Sequence, residues 1–233
     1  NLTRHSFGNL FIAALIEVLG DVEEAMDATS KVLRVRGKVI PSSAEKIRLN
    51  AEMTDGRIVE GESQIPHAHG KIKRVFTTPE HPKAIQSAVR AIQEADAIVL
   101  GPGSLYTSIM PNLCVPDIVQ AVRTSKAPKI YICNVMTQPG ETDDYTVSDH
   151  VKAINRQAGG RVIDFVIANN GDVDPAVLQR YVATGSHPVI IDKKEVSQAG
   201  ATLILSDLIN KENSATHDTK KLANVLFDLI NAL

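Results

Sequence analysis

The first third of the chain changes from a helical to a strand-like pattern of apolar residues. Apolar side chains recur at helical spacing over residues 10–18, and the same spacing continues over 21–33. From Gly37 onward apolar and polar residues alternate, and Asp55-Gly56 predicts a hairpin with a type I′ turn. We interpret residues 37–77 as a small β-rich insertion.

From residue 78 onward, helical stretches alternate with short apolar runs. Such runs are typical of parallel strands that are buried on both faces. The predicted strands lie at 97–100, 129–133, 165–168 and 189–191. The predicted helices lie at 83–95, 115–124, 147–157 and 176–182, with a last one after Asp218. Because strands and helices alternate, we expect a right-handed parallel sheet with helices on both faces.

Composition and charge are those of an ordinary globular protein. The chain has 233 residues with 43% hydrophobic and 22% charged side chains, and its net charge is −2. This balance gives no general attraction to nucleic acid or to an anionic membrane. Cys114 and Cys133 lie in apolar segments, which indicates a reducing cytoplasm rather than a disulfide framework. The chain begins with Asn1 instead of Met, so we expect further residues before it.

A glycine- and hydroxyl-rich segment, residues 101–108, follows the first predicted parallel strand. Its two glycines allow close backbone approach and positive φ, and its hydroxyls add donors. If a helical turn starts near Leu105, its free N–H groups point to the same place, which suits a phosphate. The alternative is a tight, Ser-capped turn, because the segment matches neither Walker A nor GxGxxG. The candidate residues here are Gly101, Gly103, Ser104, Leu105, Tyr106, Thr107 and Ser108.

A second polar segment, residues 134–142, follows the next predicted strand. The amides and hydroxyl of Asn134, Thr137 and Gln138 suit a sugar or a base. Glu141 suits metal binding or general-base chemistry. The alternative is a solvated acidic loop whose threonines, at 142–146, cap the following helix. Sequence pattern alone leaves these two interpretations open.

A third loop, residues 169–175, follows the strand predicted at 165–168. Asn-Asn-Gly is typical of a turn, and Asp174 before Pro175 is typical of a helix N-cap. We expect a structural role first. A ligand contact from Asn169 or Asn170 is the second interpretation.

Several isolated polar residues have weaker signals. His5, Ser6 and Asn9 either contact a ligand at the sheet edge or form an ordinary capped helix start. His67 and His69 have no third ligand nearby, which favours a surface loop over a metal site.

The remaining polar clusters lie beside the insertion and before the last helix. Lys71, Lys73 and Arg74 form a small basic cluster that we interpret as a solvated strand face. Asp218 is suited to cap the last helix, and His217 before it faces either a ligand or a subunit partner.

Three segments together resemble a known family. HSFGNLF at 5–11, GPGSLYTS at 101–108 with PNL at 111–113, and NVMTQPGET at 134–142 are similar to signature segments of the YvcK-like gluconeogenesis factors. That family is homologous to CofD, the 2-phospho-L-lactate transferase of coenzyme F420 biosynthesis. The resemblance spans nearly the whole chain. It implies a single α/β domain over 1–233, Rossmann-like, with a mostly parallel sheet, helices on both faces and the β-rich insertion.

The resemblance also implies a function. It indicates a cytoplasmic regulatory protein, homo-oligomeric as a dimer, that binds a nucleotide-type ligand such as UDP-N-acetylglucosamine, another UDP-sugar or an NAD-type dinucleotide. Its role would be in growth and cell morphogenesis on gluconeogenic carbon sources. The alternative is a CofD-like, Mg²⁺-dependent transferase that moves a 2-phospholactate-type group from a nucleotide donor to an acceptor. A third hypothesis is a scaffold protein whose loops bind no ligand.

The chain departs from the family pattern in two places. The family's N-terminal strand with its Gly-Gly-Gly-Thr-Gly turn, and the following Asp-Asp-Gly-Gly-Ser segment, are absent from this sequence. Family members often carry Arg before the His-Asp-Thr of the last helix, whereas this chain has Thr216. The resemblance also makes Thr219 a candidate phosphorylation position, where a phosphate would place negative charge at a helix start.

Overall fold

A computed structural model of the protein describes residues 7–34, 36–210 and 214–233. The first described elements are a pair of helices. Helices α1 (Phe7–Leu19) and α2 (Val22–Val32) follow the predicted apolar spacing. Asp21 caps α2 by accepting a hydrogen bond from the Glu24 N–H at 2.8 Å. His5 and Ser6 lie outside the described residues. Asn9 lies within α1, and its side chain is also outside what the structure describes.

The predicted β-rich insertion is confirmed as a three-stranded antiparallel sheet. Its strands are β1 (Arg48–Met53), β2 (Ile58–Glu60) and β3 (Ile72–Thr78), in the order β2-β1-β3. The prediction of a type I′ turn is wrong, because φ is positive at Gly56 but not at Asp55. The Met53 N–H donates to the Arg57 carbonyl at 2.9 Å, and the Asp55 carboxylate accepts from the Arg57 N–H at 3.0 Å. The bond from the Arg57 N–H to the Asp55 carboxylate favours a three-residue loop with one glycine in the left-handed conformation.

The rest of the chain forms a parallel sheet with its helices. The strands β4 (Ile98–Leu100), β5 (Lys129–Ile132), β6 (Phe165–Asn169) and β7 (Thr202–Ser206) pair in the order β4-β5-β6-β7. The helices are α3 (Gln86–Gln93), α4 (Pro116–Thr124), α5 (Val147–Gln157), α6 (Pro175–Val182), α7 (Lys193–Gln198) and α8 (Thr219–Ala232). Among the described helices, none has the length and apolarity needed to cross a membrane.

Helices cover both faces of the parallel sheet, as predicted. Successive side chains of a strand point to opposite faces. Ile130 and Ile132 of β5 pack with α8, whereas Tyr131 between them packs in the larger core with α4 and α5. The buried face of β1 joins the same larger core, so the insertion packs against the main domain. The insertion and the parallel sheet therefore share one hydrophobic core.

The predicted strand at 189–191 is wrong, and both α7 and β7 were missed. Residues 189–191 form single bridges, such as the Val189 N–H to the Val135 carbonyl at 3.0 Å, instead of a ladder. The fourth strand is β7, which pairs with β6 over five residues. The apolar run at 97–100 predicts a strand that is buried on both faces, yet Val99 is 37% exposed, because β4 lies at one end of the sheet. An apolar run of three residues does not distinguish these cases.

Candidate functional site

A cavity of about 450 Å³ lies next to the point where β5 ends. Ligands of open parallel sheets bind outside the carboxyl ends of the strands, so this is the expected position. Five stretches of chain that are far apart in sequence supply its walls. They are the loop after β5, the end of α6 with the turn after it, the residues before α8, and single prolines at 66 and 102. The polar groups that line it include Asn134, Thr137, Gln138, Glu141, Ser186 and His217.

Gln138 joins the first two predicted loops. Its amide nitrogen Nε2 donates to Ser104 Oγ at 2.7 Å, and its oxygen Oε1 accepts from Asn134 Nδ2 at 3.3 Å. Asn134 Oδ1 is buried and has no hydrogen-bond partner among the described residues. Such an acceptor is costly to leave unpaired. The structure therefore brings Ser104, Asn134 and Gln138 together at one edge of the sheet.

Gly101 and Gly103 of the first loop differ in backbone conformation and in the atoms that a side chain would meet. Gly101 has φ of +93°, and a Cβ there would lie 3.1 Å from the Ile132 carbonyl oxygen. Gly103 does not have positive φ, but it makes a close approach, because a Cβ there would lie 3.1 Å from the Cβ of Ser108. A π-helical turn (Leu105–Ile109) begins where the sequence predicted a helical turn.

The amino end of this helical turn is already bound to a carboxylate of the protein. The Tyr106 N–H donates to Glu141 Oε2 at 3.3 Å, and Thr107 Oγ1 donates to Glu141 Oε1 at 3.2 Å. Burial raises the pKa of the Glu141 carboxyl, and the bonds from Thr107 and Tyr106 oppose that rise. The amino end of the bend predicted to hold a phosphate is thus occupied by the Glu141 carboxyl group.

Contact with the insertion positions Glu141. The preceding residue, Gly140, has φ of +79°, and a Cβ there would overlap the backbone carbonyl of Pro66. Pro66 lies in the 3₁₀ turn Glu62–His67 of the insertion. Asp143 also fixes the loop by accepting from the Gly140 N–H at 2.8 Å. This contact makes the insertion part of the site, which the sequence pattern did not indicate.

Thr137 is held by the segment that follows α6. Its N–H donates to the His187 carbonyl at 2.7 Å, and its hydroxyl accepts from the His187 N–H at 2.9 Å. The Ser186 hydroxyl donates to the Thr137 carbonyl. Ser186 was missed by sequence reasoning, because only tertiary folding places it beside the loop after β5.

His217 lines the cavity, as one of its two predicted roles requires. Its Nε2 donates to the Cys133 carbonyl oxygen at 3.2 Å, so this nitrogen carries the proton. Burial lowers the pKa of His217, which keeps its imidazole neutral near pH 7. Thr216 precedes it on the same wall of the cavity. Asp218 caps α8 as predicted, by accepting from the N–H groups of Lys220 and Lys221.

A buried aromatic cluster supports the first loop from behind. The hydroxyls of Tyr106 and Tyr145 lie 2.6 Å apart, and the Tyr145 ring packs edge-on to His150 with centroids at 5.4 Å. His150 Nδ1 donates to the Thr146 carbonyl at 2.8 Å, and burial lowers the pKa of its imidazole. His150 therefore has a structural role. Thr146 caps α5, which confirms the predicted cap.

The third loop has a structural role. The Asn169 side chain closes the turn by donating to the Gly171 carbonyl at 2.8 Å and by accepting from the Leu208 N–H at 2.9 Å. Asp174 caps α6 as predicted.

His67 and His69 are exposed. In the described ranges, no group of three or more His, Cys, Asp or Glu side chains could hold a metal ion.

Taken together, the fold and the loop arrangement define a Rossmann-like α/β protein with a cavity at the ends of two parallel strands. Comparison with known families gives a narrower assignment. The model of the family described as "2-phospho-L-lactate transferase CofD" matches residues 1–209, and the chain belongs to this family.

Individual relatives agree with this assignment. The Bacillus subtilis (strain 168) protein named "Gluconeogenesis factor" is 46% identical over 231 residues, which are 99% of this chain and 73% of that protein. A protein from Nostoc sp. is 49% identical over 228 residues, which are 97% of this chain and 50% of that protein. A crystal structure of a Bacillus halodurans protein superposes with a TM-score of 0.91 at 43% identity, over 96% of this chain and 72% of that one. The chain thus spans between half and about three-quarters of the length of these relatives.

Proposed function

We propose that this protein is a regulatory protein that binds a UDP-sugar or a similar nucleotide in the cavity beside β5. Its relatives are named gluconeogenesis factors, and we assign this chain the corresponding role in growth and cell morphogenesis on gluconeogenic carbon sources. We place it in the cytoplasm and expect it to act as a homodimer.

The observation that carries the proposal is the unpaired acceptor in a cavity of neutral donors and acceptors. Asn134 Oδ1 is buried without a partner in the described part of the chain, and a ligand N–H or O–H would remove that cost. The imide of a uracil base and the hydroxyls of a sugar are donors of this kind. Gln138 and Thr137 on the same wall offer further amide and hydroxyl groups.

Binding without turnover fits the charges of the cavity. Glu141 is the one carboxylate among the described residues that line it. Its oxygens already accept hydrogen bonds from Tyr106 and Thr107. Glu141 therefore holds the loop after β5 against the Leu105–Ile109 turn. His217 is likewise engaged with the Cys133 carbonyl. These contacts occupy both oxygens of Glu141 but only Nε2 of His217, whose Nδ1 keeps its lone pair.

A CofD-like transferase is the second candidate, favoured by the description of the matching family. Such a reaction needs Mg²⁺, which prefers several carboxylate oxygens and water. The residues present do not fit such a centre, because the described ranges contain no cluster of three or more metal-binding side chains. We therefore rank binding above transfer. Turnover of a lactyl-diphosphoguanosine substrate would reverse this order.

Isothermal titration with UDP-N-acetylglucosamine tests the proposal. We expect saturable heat without product formation. Asn134→Ala should weaken binding roughly tenfold, since one hydrogen bond to the ligand is lost. Asn170→Ala is the matched control, because Asn170 is exposed and does not line the cavity. Absence of both heat and thermal shift in the wild-type protein would refute the proposal.

A further inference from the structure

A separate cavity of about 310 Å³ lies between β3 and the last turn of α5. Lys73 and Arg74 of β3 and Arg156 of α5 supply three cationic side chains to its walls, and Tyr106 and Gln157 also line it. It shares no lining residue with the cavity beside β5. The two cavities can therefore be tested independently.

The charges around this cavity do not cancel. The Glu52 carboxylate accepts from Lys73 Nζ at 2.6 Å and from Arg74 Nε at 2.6 Å. Arg156 has no ion pair or hydrogen bond from its guanidinium within the described residues. Three cations against one carboxylate leave two positive charges at one concavity. That excess equals the charge of a phosphate monoester near neutral pH.

The arginine of β3 is held in place with its outer nitrogens unused. Its Nε is bound to Glu52, and its Cζ lies 5.0 Å from the centroid of the Phe76 ring. In the described part of the chain, the two terminal nitrogens of Arg74 make no hydrogen bond, because the bond to Glu52 comes from Nε. A fixed guanidinium with free N–H groups matches the oxygens of a phosphate.

A simple solvated strand face, the interpretation from sequence, accounts for only part of this arrangement. It explains the pairing of Lys73 and Arg74 with Glu52. The favourable position of a cation in the last helical turn explains Arg156 on its own. Neither explains why an unpaired guanidinium on α5 lines the same cavity as the β3 pair.

We propose that this cavity binds a phosphate group, either as free phosphate or as a small phosphate monoester. Its volume is at the lower end of the range for small-molecule pockets. A nucleic acid or a membrane would need an extended basic surface, whereas the whole chain has a net charge of −2. The proposal does not depend on the nucleotide site beside β5.

Titration with inorganic phosphate and with glycerol 3-phosphate at constant ionic strength tests the proposal, with glycerol as the uncharged control. We expect saturable shifts of the backbone amide signals of residues 153–157 with both phosphates and none with glycerol. Arg156→Gln should weaken binding about 10- to 100-fold through loss of a charge-assisted contact. Lys152→Gln removes a cation from the same helix outside the cavity, and it should leave the affinity unchanged.

A second variant and the comparison of the two ligands distinguish a specific site from misfolding and from non-specific attraction. Arg74→Gln provides a second variant, and matching unfolding temperatures exclude misfolding as the cause of a lost signal. Tighter binding of glycerol 3-phosphate than of phosphate would support a monoester site, and equal binding would support a free-phosphate site. Shifts that do not saturate, or an equal loss in Lys152→Gln and Arg156→Gln, would overturn the proposal.

Discussion

Replacing Gly140 with alanine tests whether the β-rich insertion sets the position of the loop that carries Glu141. Gly140 has φ of +79°, a conformation that costs an L-residue about 1–2 kcal/mol. Its new Cβ would also overlap the Pro66 carbonyl, which is backbone and cannot rotate away. Forcing such groups apart costs about 1–3 kcal/mol more. We therefore expect Gly140→Ala to lower the free energy of unfolding by roughly 2–5 kcal/mol.

Gly56→Ala is the matched control for this substitution. Gly56 also has positive φ, +89°, but a Cβ there meets nothing within 4 Å. It carries only the conformational cost, partly offset by about 0.4–1 kcal/mol from the lower entropy of the unfolded chain. Urea unfolding of both variants gives the comparison. Equal losses in the two variants would refute the view that the Pro66 contact fixes the loop.

Two further predictions concern stability. Burial holds the pKa of His150 below 6.5 in the folded state, whereas the unfolded chain takes up a proton near 6.5. The protein should therefore lose stability as the pH falls from about 7 to 5, by up to about 1.4 kcal/mol per pH unit for this group. His150→Phe should flatten that slope in urea unfolding measured at several pH values, and an unchanged slope would contradict the assignment. Asp218→Ala should destabilise the protein by about 1 kcal/mol through loss of the α8 cap. Asp218→Asn, which keeps a capping oxygen, should retain most of that stability, so equal losses in chemical unfolding would argue against a capping role.

Local patterns determined much of the fold. The alternation over the insertion, the apolar runs of β4, β5 and β6, and the caps at Asp174 and Asp218 could all be predicted. These features depend on side chains a few residues apart, so the sequence contains their physical cause. β7 was missed because its apolar run and the one at 189–191 are similar in sequence, and only pairing with β6 separates them.

The sequence predicted residues of the site but not the hydrogen bonds between its loops. The sequence indicated that Asn134, Gln138 and residues 101–108 would gather at the ends of strands, because parallel strands bring their carboxyl ends together. It did not indicate that Glu141 would take the anion position at the amino end of the Leu105–Ile109 turn.

The tertiary structure decided which polar groups are engaged and which remain available. Glu141 reaches Tyr106 and Thr107 across 35 and 34 residues of sequence. Pro66 meets Gly140 from the 3₁₀ turn of the insertion. Likewise, Arg156 and Arg74 belong to segments with different periodicities, yet they line one cavity. Hydrogen bonds and charges act over a few ångströms, so contacts between distant segments are fixed only when the whole core packs.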